Sequence, residues 1–208
     1  MYISQPVAPN GKAVVLIHEF WGVNDQMKRV ADRVAETGYL ALAADLYGGK
    51  VAQTREEASE MRNKLDVEKA VSEIKKSLAF ILENYQINNE KVAVWGFCMG
   101  GMVSFESAVR DIGAGAYVIY YGKVSDDKEI LKNIQKPILG IFGGLDKNIT
   151  RDLVSRFKNA LEDLGKPSEI EIYDDADHAF FNEEREAHNP KAAADAWDRT
   201  IKFLDKNL

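Results

Sequence analysis

Six short apolar runs rich in valine, isoleucine and leucine recur along the chain: AVVLIH (13–18), YLALAAD (39–45), KVAVWG (91–96), AYVIYYG (116–122), PILGIFGG (137–144) and EIEIYDD (169–175). They show little polar alternation, so each reads as a strand covered on both faces, as in a parallel sheet flanked by helices. The segments between them carry a helical period. In TRDLVSRFKNALEDLG, Thr150 is placed to cap, Leu153, Val154, Phe157, Leu161 and Leu164 share one face, and Gly165 ends the helix. Asn189-Pro190 pairs a cap with proline at the first helical position, and Ala193, Trp197, Ile201 and Leu204 then form one stripe. That pattern predicts a closing helix packed on the sheet. The βαβα alternation points to an α/β fold, a three-layer sandwich around a mostly parallel sheet.

No internal repeat, low-complexity tract or Pro/Ser-rich linker breaks the 208 residues, so a single domain over 1–208 is expected. The net charge of -6 and the scattering of lysines and arginines among carboxylates argue against a nucleic-acid partner. One cysteine cannot form an internal disulfide, and the start MYISQPVAPNGK lacks the basic and apolar regions of a secretory signal, so the cytoplasm is the expected compartment. No apolar stretch approaches the roughly 18 to 20 residues of a membrane span. Monomer and homodimer both remain open. His18-Glu19 has no second histidine at helical spacing, and three histidines and one cysteine spread over the chain make no metal cluster. Neither metal nor cofactor is expected.

In sheets of this kind ligands bind beyond the carboxyl ends of the strands, which directs attention to Glu19, Cys98, Asp146 and His178. The stretch VWGFCMGG places Cys98 between Gly96 and Gly100, directly after a strand and before a helix, the form of a nucleophile elbow. Such a turn strains its central residue and needs small neighbours two positions either side. The following helix presents free N–H groups and a positive dipole end to the thiol, which favours thiolate. A lone cysteine is more often a small buried hydrophobe, so the reading depends on partners in the order nucleophile, acid, histidine. Asp146 in IFGGLDKNIT and His178 in IYDDADHAFFN supply that order. Asp174, Asp175 and Asp177 crowd the histidine loop as competing acids and read as turn-forming or solvated. The N–H of Met99 can serve half of an oxyanion hole, and the N–H of Phe20, after LIHE, the other half.

These residues resemble the dienelactone hydrolase family of α/β-hydrolases. The resemblance runs over VVLIHEFWG, YLALAADLYGG, VWGFCMGGMVSF, YYG, GIFGGLD, DADHAFFN and NPKAAADAWDRTIKFL. It implies a sheet of about seven strands and a Cys98, Asp146, His178 triad acting on a small lactone or ester through a thioester. Glu19 corresponds to the family glutamate that holds the resting thiol and helps deprotonate it when substrate arrives. Only a short connection separates YYG from the strand at Pro137, so no cap domain is expected. Many members carry an extra strand pairing with YISQP, so the sheet here is expected to be one strand shorter.

Two arginines grip the substrate carboxylate in the best-known members. One corresponds to Arg55 in TREEA, whose alternative is a solvated arginine on a helix. The second position holds Asn182, which weakens the case for an anionic lactone and leaves open Arg185 as a substitute. A family tyrosine corresponds to Ser59. A shallow site lined by Phe20, Trp21, Tyr47, Tyr121 and Phe180 would suit a small, partly apolar substrate, with core packing the alternative for each aromatic. Trp95 and Trp197 are assigned to the core. A thioesterase or general carboxylesterase on the same triad competes with the lactonase reading. A thiol sensor without turnover is disfavoured, since it needs no general base.

Overall fold

Alternate residues of each central strand enter opposite apolar layers, which is why these runs lack polar residues. In β2 (Ala13–Ile17), Val15 and Ile17 join one buried cluster while Val14 and Leu16 join the other. The computed structural model describes residues 1–208. Its remaining strands are β1 (Tyr2–Ser4), β3 (Leu40–Ala44), β4 (Val92–Phe97), β5 (Ala116–Tyr120), β6 (Ile138–Gly143) and β7 (Ser168–Tyr173). They form one sheet in the order β1-β3-β2-β4-β5-β6-β7, parallel throughout except for β1, which runs antiparallel to β3 with Ile3 opposite Leu42.

Helices cover both faces. On one lie α1 (Asp25–Glu36) and α7 (Pro190–Asn207), whose Met27, Val30, Trp197 and Phe203 pack on Val14, Trp95 and Tyr120. On the other lie α3 (Val67–Tyr85), α4 (Met99–Val109) and α6 (Arg151–Asp163), with Ile74, Val103 and Phe157 against Val15, Val94 and Ile119. Two shorter helices, α2 (Arg55–Asn63) and α5 (Lys128–Leu131), complete the set. The result is a three-layer α/β sandwich. Between β5 and β6 the chain forms only α5, so no cap domain intervenes. No helix is long and apolar enough to cross a membrane.

The six expected strands appear within two residues of the runs that define them. Thr150 caps α6 by accepting from the Leu153 N–H, Asn189 caps α7 by accepting from the Ala192 N–H, and Gly165 leaves α6 at a φ of +62°. β7 departs from the expectation of cover on both faces. It is an edge strand, only partly buried, and its alternating Glu169 and Glu171 pair with Lys206 (2.8 Å) and Arg199 (3.2 Å) of α7. Edge strands favour such charges because they discourage pairing with another chain. β1 forms the opposite edge, and with it the sheet counts seven strands.

Candidate active site

The turn from β4 into α4 holds Cys98 at φ 54° and ψ −111°, a conformation costing a non-glycine residue about 1–3 kcal/mol. The surrounding glycines make it possible. A Cβ on Gly96 would stand 1.9 Å from the Gly100 carbonyl oxygen, and one on Gly100 would stand 2.2 Å from that of Ile17. Helix α4 therefore lies directly on the ends of β2 and β4, with its first N–H groups beside the thiol and no acceptor one turn back.

Three loops converge on this turn. Gly143 at the end of β6 has no room for a Cβ, which would meet the carbonyl oxygens of Ala176 (2.6 Å) and Asp177 (2.8 Å). The β6 and β7 loops consequently pack backbone to backbone, and the Leu145 N–H donates to the Ala176 carbonyl (3.0 Å). This brings Asp146 Oδ2 to 2.6 Å from His178 Nδ1, while His178 Nε2 lies 3.1 Å from Cys98 Sγ. The other Asp146 oxygen accepts from the N–H groups of Asn148 (2.8 Å) and Ile149 (3.0 Å), so the buried carboxylate is fully partnered. The competing acids are engaged elsewhere. Asp177 accepts from its neighbour's backbone N–H (2.6 Å), Asp174 pairs with Arg151, and Asp175 is exposed.

Burial alone would lower the basicity of His178, but its hydrogen bonds to Asp146 and Cys98 prevail and raise the imidazole to about 10. Burial likewise works against the Asp146 carboxylate, and the hydrogen bond from His178 with those from the Ile149 and Asn148 amides holds it below the usual range. The folded chain thus binds an imidazolium proton more tightly than the unfolded chain does. The stabilisation from His178 is complete below the ordinary imidazole value of about 6.5 and is lost as pH rises toward 10; that from Asp146 is present above about 3.9 and is lost as pH falls below it. Thermal melts of the wild type and His178→Gln should therefore differ most between about pH 4 and 6.5, and the gap should close toward pH 10. A gap independent of pH would show that the fold does not favour the protonated ring.

Glu19 is buried, and its carboxyl accepts from the Tyr121 hydroxyl (3.2 Å) and the Asn182 amide (3.0 Å). Desolvation raises its pKa against the opposing pull of Asn182, His178, Arg185 and Tyr121. The expected contact with the resting thiol is absent, because the hydrogen-bond partner of Cys98 is His178.

A cleft of about 660 Å³ opens over Cys98 and His178, walled by Phe20, Trp21, Arg55 and Arg185. Four aromatic and polar residues expected in that wall lie elsewhere. Tyr121 and Phe180 are fully buried, packed on each other at 5.7 Å, and Asn182 is spent on Glu19. Tyr47 lines a separate recess with Leu46 and Met61, its hydroxyl donating to Met99 Sδ (3.1 Å). Trp21 does face the cleft, stacked beneath the Arg185 guanidinium at 4.0 Å, whereas Trp95 and Trp197 are core residues.

The lining also includes Arg62, which the sequence reading did not single out. Arg62 follows Arg55 by seven residues and Ser59 by three, so all three share one face of α2, and all three line the cleft. That spacing was readable. The ion pairs of the chain's arginines use Arg29, Arg110, Arg151, Arg156 and Arg199; of the four without one, Arg33 lies over the Trp197 ring and Arg55, Arg62 and Arg185 line the cleft.

A nucleophile on a strained turn, beside an imidazole oriented by a buried carboxylate, is suited to acyl transfer. The model of the dienelactone hydrolase family matches residues 1–208. "Protein usf" of Aquifex pyrophilus is 33% identical over 100% of this chain and 93% of its own length. A Saccharolobus solfataricus protein named "Putative carboxymethylenebutenolidase" is 30% identical over 98% of this chain and 92% of its own. In fold, the chain is similar to a dienelactone hydrolase-like promiscuous phosphotriesterase from metagenomic libraries, with a TM-score of 0.83 at 22% identity over 98% of this chain and 88% of that one. With the whole chain matched and the Cys98, His178 and Asp146 side chains in contact, this protein belongs to the dienelactone hydrolase family and is an ester or lactone hydrolase.

Proposed function

We propose that the chain hydrolyses small lactones or activated esters bearing a carboxylate, through a thioester on Cys98. The observation that carries this reading is the cleft itself, where three arginines without ion pairs surround a thiol already bonded to His178. Of the carboxyls there, Glu19 is pushed by burial toward its neutral form, which leaves Asp177 and Glu186 against three arginines. Arg55 and Arg62 are exposed and Arg185 is half-buried, so their guanidinium groups are available to form charge-assisted hydrogen bonds with an anionic substrate. Arg185 and Arg55, which both line the cleft, replace the pair of arginines that Asn182 no longer completes. The lone free thiol also suits a reducing compartment, and we place the reaction in the cytoplasm.

His178 Nε2 holds the proton drawn from the thiol, so Sγ attacks the substrate carbonyl as a thiolate, and Asp146 stabilises the imidazolium. The N–H groups of Phe20 and Met99 hold the oxyanion. Collapse breaks the ester C–O bond, with the proton returned by His178 to the leaving oxygen. Water, deprotonated by the same nitrogen, then attacks the thioester, releasing the acid and restoring the thiol.

Hydrolysis of cis- and trans-dienelactone, followed by ultraviolet absorbance beside a neutral aryl ester, tests the substrate class. A charge-assisted hydrogen bond contributes about 1.5–3 kcal/mol, so Arg185→Gln should lower kcat/KM for the anionic lactone about 10- to 100-fold, mainly through KM. The neutral ester should change less than about threefold. Equal losses on both substrates, or wild-type preference for the neutral ester, would overturn the carboxylate reading.

A further inference from the structure

His18 is fully buried at the end of β2 and takes no part in the proton transfers above. Its Nε2 accepts from the Leu46 N–H (3.2 Å), so in the neutral ring Nδ1 carries the hydrogen, which it donates to the carbonyl oxygen of Glu19. Burial lowers the pKa of the ring, in keeping with that single tautomer. The Glu19 carbonyl belongs to the same planar unit as the Phe20 N–H. In a trans peptide the two point in opposite directions, and no cis bond occurs in the chain. Whatever fixes the carbonyl therefore aims the amide.

From this geometry we infer that His18 is a positioning residue for the oxyanion hole, setting the direction of the Phe20 N–H through the Glu19 carbonyl. The inference rests on the assignment of the Phe20 and Met99 amides to the oxyanion. Two further contacts tie His18 to the Met99 side of the hole. The Tyr47 ring packs on the imidazole at 4.9 Å while its hydroxyl reaches Met99 Sδ, and the carbonyl oxygen of His18 would lie 2.7 Å from a Cβ on Gly100. The His18 side chain thus links the loops after β2 and β3, and Tyr47 with the His18 carbonyl extends that link to the first turn of α4. Both candidate oxyanion donors are held against a common support.

Two amide substitutions separate positioning from simple packing. In His18→Asn the amide nitrogen falls near the place of Nδ1 and keeps the bond to Glu19, whereas in His18→Gln the amide oxygen falls near Nε2 and keeps only the bond to Leu46. Each variant retains one of the two hydrogen bonds, so comparable melting temperatures are expected. Removing an oxyanion donor outright lowers kcat by about 10²–10³, and misaiming one should cost about 10- to 100-fold. His18→Gln should show that loss in kcat with KM nearly unchanged, while His18→Asn stays within about threefold of wild type. Alkylation of Cys98 by iodoacetamide, which develops no oxyanion, should proceed at the wild-type rate in both.

Equal activity of the two variants, a greater loss in His18→Asn, or alkylation falling in step with turnover would overturn the inference. None of those outcomes touches the assignment of the nucleophile, which fails separately if turnover survives in Cys98→Ala.

Discussion

Replacing Cys98 with alanine is expected to lower turnover of a lactone or activated ester by about five orders of magnitude or more, as when the nucleophile of a comparable triad is removed. Cys98 Sγ is the nucleophilic atom hydrogen-bonded to His178 Nε2. The fold should be nearly unaffected, because alanine keeps the Cβ and the same positive φ at the elbow, and Gly96 and Gly100 still admit the turn. Thermal stability within a few degrees of wild type would accordingly accompany the loss of activity. Turnover that survives the substitution would mean that the thiol is not the nucleophile.

Asp146→Asn should cost about 10⁴-fold in kcat with little change in KM. The carboxylate does two separable things. One oxygen receives the N–H groups of Asn148 and Ile149, a task that an asparagine oxygen can retain. The other receives the proton on His178 Nδ1. An amide nitrogen there would face Nδ1 as a donor and drive the ring to the tautomer with hydrogen on Nε2, which presents a donor to Cys98 where an acceptor is needed. Slower alkylation of Cys98 by iodoacetamide at neutral pH should accompany the loss. A decrease below about tenfold would show that something other than Asp146 orients the imidazole.

The parts of the structure that follow local rules were legible in the sequence. Strands buried on both faces declare themselves as unbroken apolar runs, and Thr150, Gly165 and Asn189-Pro190 mark helix ends through chemistry confined to a few residues. The elbow was legible because close approach of β4 and α4 admits only glycine at positions 96 and 100. Chain order then brought Asp146 and His178 to Cys98.

What sequence reading misjudged depends on packing between distant segments. Phe180 and Asn182 lie in the loop carrying His178, which turns them inward where Ala179 takes a φ of 62°, and Tyr121 is buried just after β5 at a φ of 36°. Asn182 consequently serves the buried Glu19 and leaves the substrate to others. The environment of Glu19 required knowing that Tyr121, more than a hundred positions away in the chain, would donate to it. Arg62 was overlooked for a simpler reason, since its helical spacing from Arg55 was visible and only the direction of that face was not.

The thioester on Cys98 is most directly tested by acid-quenching the enzyme during turnover of an aryl ester, whose good leaving group makes acylation the fast step, and weighing its peptides. The peptide containing Cys98 should gain the mass of the acyl group, and neutral hydroxylamine should remove it. Steady turnover with no acyl group on that peptide, or with the acyl group on another residue, would contradict a thioester mechanism at Cys98.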